Sequence, residues 1–152
     1  EEPIARWKFM RLNKVKKKSP IPIMADESCG DEHDAERLIE LDACDYFNIK
    51  LGKSGGLFKA LKIVRLAEEA GIHLQVGAML ESRLGMTAFA HYALCSPAIE
   101  HYDFDTALMF SEDPVTGGII YEKNGVVKVP EAVGLGATID ESWLRKMEKV
   151  VI

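Results

Sequence analysis

Apolar residues recur along the chain in two periods, one suited to helices and one to short strands, and the two alternate. From Arg6 to Lys18, Trp7, Met10, Leu12 and Val15 stand among charged residues and predict a helix stopped by Ser19-Pro20. Ile21–Ala25 is an apolar run of strand length closed by Asp26-Glu27-Ser28. Asp31 to Leu41 reads as a helix capped by its aspartate, with Ala35, Leu38, Ile39 and Leu41 on the apolar side. Tyr46–Ile49 is the next strand, ending at Lys50. Leu57, Ala60, Leu61, Val64 and Ala67 then trace one face of a helix that stops at Gly71. Ile72–Val76 reads as strand, Leu84–Cys95 as helix and Ala98–Tyr102 as strand. Strand and helix in turn, joined by short loops, predict βαβ units on a parallel sheet, an α/β fold.

The rhythm then changes. Gly118–Tyr121 and Val126–Val129 flank Asn124-Gly125, which predicts a hairpin. Glycine-rich coil around Gly134-Leu135-Gly136 and a short helix containing Trp143 and Met147 follow.

Composition narrows the class. In 152 residues, 47% are hydrophobic and 28% charged, which excludes a disordered tail, a collagen-like fibre and a coiled coil. A net charge of −5 argues against a nucleic-acid partner. Lys16-Lys17-Lys18 fits cations favoured at a helix C-terminus better than a phosphate patch. No apolar run is long enough to span a bilayer, so no membrane association is expected. No signal peptide opens the chain, and a start at Glu1-Glu2-Pro3 without methionine reads as a cut edge. Three cysteines without a C-x-x-C fit buried thiols in a reducing cytoplasm. The length suits one domain but not a whole (β/α)8 barrel, which needs at least ~200 residues.

Ionisable residues close the apolar runs. Glu1, Asp26, Lys50, Glu81 and Asp103 follow one another at roughly 20–30 residues, near the ~30 residues of one βα unit of a barrel. Parallel strands end on one face, where α/β proteins build their sites. Carboxylates at Glu1 and Asp26 beside Lys50 describe either a hard-cation site with a basic amine or salt-bridged strand ends. Asp103 and Asp105, at i and i+2 of a strand, would share one face; helix-capping acids are the other reading. Gly52-Lys53-Ser54 imitates a P-loop ending, but Phe47 stands where the first glycine belongs. The four histidines have no metal-ligand spacing.

Six motifs, in order, carry a resemblance: Glu1-Glu2-Pro3, Ala25-Asp26-Glu27-Ser28, Asn48-Ile49-Lys50-Leu51, Lys53-Ser54-Gly55-Gly56, Gly77-Ala78-Met79-Leu80-Glu81-Ser82 and Asp103-Phe104-Asp105. Together they resemble the C-terminal barrel portion of the enolase superfamily, muconate-lactonizing subgroup, and most of all its dipeptide epimerases. The likeness runs from Glu1 to about Trp143. It implies the C-terminal half of a TIM-like barrel with parallel strands in residues 1–112, and a hairpin and tail in 113–152 that return toward a capping domain. Roughly five of the eight strand ends are present.

The resemblance also implies roles. Glu1 and Asp26 would be ligands of Mg²⁺, and Lys50 an acid/base on one face of the substrate α-carbon. Asp103 and Asp105 would hold the α-ammonium of a small dipeptide. By their place in the motifs, Glu27 and Glu81 read as orienting neighbours, with direct catalysis as the alternative, and Lys53 as a salt-bridge or loop-anchoring residue, with a substrate contact as the alternative. The first metal ligand, the second acid/base lysine and the cap would lie upstream of Glu1, so the preceding part of the same enzyme is an expected partner; self-assembly is left open. Two departures stand out: Glu2 replaces the usual glutamine, and Thr106-Ala107-Leu108 replaces the common Gly-Pro-Leu. The implied activity is Mg²⁺-dependent epimerisation of a dipeptide of the L-Ala-D/L-Glu type through an enediolate, in the cytoplasm. A cycloisomerase, an acid-sugar dehydratase and a non-catalytic half-barrel module are the alternatives. A lysine beside the cation is expected to have its pKa lowered; the pairing of a lysine or histidine base with Mg²⁺ is the established rule for this superfamily.

Overall fold

A computed structural model describes residues 1–150. Two compact units divide the chain: Glu1–Met79 with Ala93–Asp103, and Leu80–Tyr92 with Phe104 onward.

The first unit is organised by a four-stranded sheet whose strands run in the order of the chain: β1 (Met24–Ala25), β2 (Tyr46–Ile49), β3 (His73–Val76) and β4 (Ile99–Tyr102). Every neighbouring pair is parallel, as the alternation of elements predicts. Phe47, Ile49, Leu74 and Val76 alternate along β2 and β3 and are fully buried. The residues between them, Tyr46, Asn48, His73 and Gln75, lie on the opposite face. The register slips between Leu74 and Gln75, so that Glu100 is an extra residue in β4.

Helices α2 (Glu32–Glu40) and α3 (Leu57–Ala70) pack against one another. Asp31 caps α2, its carboxylate accepting from the backbone N–H groups of His33 and Asp34, both at 3.0 Å. The buried stripe of α3 is Ala60, Ile63, Val64 and Ala67, with Leu61 only half-buried, and the helix stops at Gly71 as expected. The helix expected over 6–18 is instead a 3₁₀ segment, Arg6–Arg11, followed by one α-turn, α1 (Leu12–Lys16). Trp7 and Met10 are exposed and only Leu12 is buried, so the first turns have no packing to reward an α-helical ladder.

The second unit holds α4 (Arg83–Ala93) up to Tyr92 and two small antiparallel pairs. The expected hairpin is present but shorter: β6 (Ile120–Tyr121) pairs with β7 (Val127–Lys128). Asn124 and Gly125 both have positive φ, 63° and 77°, the geometry for which this dipeptide is suited. The other pair, β5 (Val115–Gly117) with β8 (Ala137–Ile139), was not foreseen. It requires a close backbone approach, since a Cβ on Gly117 would lie 2.3 Å from the Gly136 carbonyl oxygen. Arg83 ties this region together, donating to the Asp113 carboxylate and to the carbonyls of Val115 and Gly117. The terminal helix α5 (Glu141–Leu144) is capped by Asp140 and ends before Met147. Among the described residues no helix is long and apolar enough to cross a membrane.

Candidate active site at the strand ends

Parallel strands in register deliver their following residues to one end of the sheet. Asp26 follows β1, Lys50 follows β2, Gly77 follows β3 and Asp103 follows β4. The ladder continues one residue beyond the strands, with Gly77 N–H donating to Ile49 O at 3.0 Å and Asp103 N–H to Val76 O at 2.9 Å. Glu2 N–H donates to Met24 O at 2.9 Å, which lays the start of the chain alongside β1. Asp26, Lys50 and Asp103 therefore share the end that their positions after apolar runs predict. Glu81 does not close a strand: β3 ends at Val76, and Glu81 falls in the other unit.

Asp26 is the centre of the arrangement. Its side chain is 5% exposed and bridges two lysines, with Lys50 Nζ 2.5 Å from Oδ2 and Lys53 Nζ 2.7 Å from Oδ1. Lys53 also donates to the carbonyl oxygens of Asp26 at 2.5 Å and Asn48 at 2.9 Å. An ammonium has three donors, and Lys53 uses all of them to pin the β1 loop to β2. That is the loop-anchoring reading of this residue. Burial alone would push the Asp26 carboxyl pKa up, but the hydrogen bonds from Lys50 and Lys53 outweigh it, and the net shift is downward from 3.8. For Lys50, burial pulls down while the bond to Asp26 pulls up, and the net shift is upward from 10.5. The Asp26 carboxylate in contact with Lys50 is the cause of that upward direction.

Three residues that sequence reasoning gave no role complete the site. Asn48, 2% exposed, donates from Nδ2 to Glu1 Oε1 at 2.5 Å. Its Oδ1 is buried without a hydrogen-bond partner. Gly77 lies directly against that side chain: a Cβ there would stand 2.4 Å from Asn48 Oδ1. Glu2 turns away from Glu1 toward the β1 loop, where its carboxylate accepts from Asp26 N–H at 2.8 Å, Ser28 N–H at 3.2 Å and the Ser28 hydroxyl at 2.5 Å. The only sequence signal for Asn48 and Gly77 was their membership of quoted motifs.

The remaining candidates fall elsewhere. Glu27 is exposed, and its charge acts on Lys50 from outside the cluster. Asp105 lies in the second unit, before the 3₁₀ turn Thr106–Met109. The strand expected to carry both Asp103 and Asp105 stops at Tyr102, and Asp105 has helical φ and ψ (−87°, −19°). The i, i+2 rule for strands therefore does not apply to the pair.

Glu1 and Asp26 offer carboxylate oxygens, the donor chemistry suited to Mg²⁺. No group of three or more acidic, histidine or cysteine side chains able to hold a metal occurs among the described residues. The donors fit in kind and supply part of a ligand set.

Comparison with known proteins gives this geometry a context. Residues 1–143 match the sequence profile of the enolase C-terminal domain-like family. The chain is 55% identical over 152 residues to the D-Ala-D/L-Ala epimerase of Cytophaga hutchinsonii, all of this chain and 41% of that protein. It superposes with a TM-score of 0.96 on the dipeptide epimerase of C. hutchinsonii solved with Mg and D-Ala-L-Val, at 54% identity over 98% of this chain and 40% of that one. The dipeptide epimerase of Enterococcus faecalis, solved with Mg and L-Leu-L-Tyr, gives a TM-score of 0.85 at 39% identity, over 90% of this chain and 39% of that one. The chain thus spans about 40% of the length of these relatives.

Proposed function

The chain belongs to the enolase C-terminal domain-like family, and from that premise we propose that it is the second half of the barrel of a Mg²⁺-dependent dipeptide epimerase. The observation that carries the reading is the contact of Lys50 with Asp26 at the ends of adjacent parallel strands, 2.5 Å apart. It is supported by relatives of that activity that align along the whole chain.

In this reading Lys50 exchanges a proton with the α-carbon of the substrate. Its ammonium is held on the strand end by Asp26, which fixes the direction from which the proton is given or taken. Glu1 and Asp26 would hold Mg²⁺, kept in place by Asn48 and Lys53 respectively. The cation would offset the charge of the enediolate that α-proton removal leaves. Asp103, just past the end of β4, would take the substrate ammonium through a charge-assisted hydrogen bond. The acid/base group for the opposite face, the remaining metal ligand and the capping domain would come from chain preceding Glu1. Residues 113–150 would return to that cap.

The test is α-proton exchange in D2O by the complete enzyme. Unmodified protein should exchange the α-proton of a free dipeptide and exchange an N-acetylated one poorly. Lys50→Met should abolish epimerisation, which needs a proton carrier on each face, with an unchanged circular dichroism spectrum. Near-normal epimerisation by the Lys50 variant would overturn its acid/base role. Equal exchange of the free and acetylated dipeptides would overturn ammonium recognition and favour a cycloisomerase or dehydratase.

A further inference from the structure

Two adjacent glutamates open the chain, and their side chains do different work. Glu1 meets Asn48, whereas Glu2 spends its whole carboxylate on the loop after β1. Oε2 accepts the N–H groups of Asp26 and Ser28, and Oε1 accepts the Ser28 hydroxyl. Glu2 does this from a φ of 36°, a region that side chains other than glycine rarely enter. A backbone in that region persists only where its surroundings hold it, and three hydrogen bonds to one loop are such a hold.

The loop depends on Glu2 in turn. It closes on itself through Cys29 N–H to Asp26 O at 2.9 Å, a bond that leaves the N–H groups of Asp26 and Ser28 to be satisfied by something else. Glu2 satisfies both. The position of the Asp26 backbone sets where its carboxylate points. Lys53 fixes the carbonyl side of that residue and Glu2 its N–H side.

We propose that Glu2 is a positioning residue: through the backbone of Asp26 and Ser28 it sets the direction of the Asp26 carboxylate and so the affinity of the site for a divalent cation. This rests on the reading of Asp26 as a metal ligand. Hydrogen-bond geometry is the cause, so glutamine should serve nearly as well as glutamate. Its single carbonyl oxygen accepts both N–H groups, its amide donates to the Ser28 oxygen, and that hydroxyl rotates to accept.

The experiment is Mn²⁺ binding to the complete enzyme, followed by electron paramagnetic resonance at a temperature where every variant remains folded by circular dichroism. Glu2→Met keeps the length and loses the acceptors; its dissociation constant should rise roughly 10–100-fold, the usual effect of losing a group that orients a ligand. Glu2→Gln should stay within about threefold of the unmodified protein, well inside that range. Ser28→Ala, which removes one of the three bonds, should fall between them and provides a second reading if Glu2→Met does not fold. Equal losses in the Met and Gln variants would overturn the geometric role, as would unchanged binding in Glu2→Met. Asp26→Asn is the control for the underlying reading. Should that variant bind Mn²⁺ normally, the metal assignment itself falls; should it lose binding while Glu2→Met keeps it, only the role of Glu2 falls.

Discussion

Gly77→Ala is a one-carbon change whose effect should depend entirely on Asn48. The added Cβ would lie 2.4 Å from Asn48 Oδ1, 2.8 Å from Nδ2 and 3.0 Å from Cγ. These atoms belong to a side chain that is 2% exposed and held at its far end by Glu1, so it cannot swing into solvent. Overpacking of this kind costs ~1–3 kcal/mol. Gly77 is not among the glycines with positive φ, so alanine also reduces the entropy of the unfolded chain, which returns ~0.4–1 kcal/mol. The expected net loss is about 1–2 kcal/mol of unfolding free energy. In an Asn48→Ala background every atom of the clash is gone, and Gly77→Ala should be neutral or slightly stabilising. Urea unfolding of the four proteins of this cycle, each as the complete enzyme, gives the coupling, expected near 2 kcal/mol. Losses that add to within about 0.5 kcal/mol would show that Gly77 and Asn48 do not constrain one another, and the reasoning would fail.

Lys53→Met removes the donor shared by the Asp26 carboxylate and two carbonyl oxygens. Breaking a buried pair costs ~3–5 kcal/mol, and because Lys50 still faces Asp26 the loss should fall near the lower end; a loss below about 1 kcal/mol by urea unfolding, the scale of an exposed pair, would contradict the anchoring role. The pH dependence follows from the directions of the two shifts. Asp26, with its pKa held below 3.8, contributes stability that is present above that value and lost as pH falls through the lowered one. Lys50, raised above 10.5, contributes stability that is present below 10.5 and lost as pH rises past its folded value. Asp26→Asn should therefore flatten the acid limb of a stability–pH curve measured by urea unfolding, and an acid limb identical in the two proteins would contradict it.

Much of the fold was legible because it follows from neighbours in the chain. The Asp31 cap, the stop of α3 at Gly71, the strand at Tyr46–Ile49 and the Asn124-Gly125 hairpin each depend on a few consecutive residues. Parallel order followed from strand and helix alternating. The meeting of Asp26 and Lys50 was legible because each directly follows an apolar run, and register alone then carries both to one end of the sheet.

What escaped that reasoning involves residues far apart in the chain. Asn48 reaches Glu1 across 47 positions, and Glu2 reaches the Asp26 N–H across 24. No local pattern specifies either bond, because the first arises only when the start of the chain meets β2 and the second only when that start lies alongside β1. The need for glycine at position 77 comes from the side chain of Asn48 on the next strand. The pairing of β5 with β8 and the helical backbone of Asp105 were hidden for the same reason. Even the direction of the Lys50 pKa depended on packing: the sequence holds both lysine and aspartate, but burial and a 2.5 Å contact decide which form is favoured. Periodicity and punctuation are written along the chain, whereas hydrogen-bond partners, steric limits and electrostatic neighbours exist only once distant segments share a small volume.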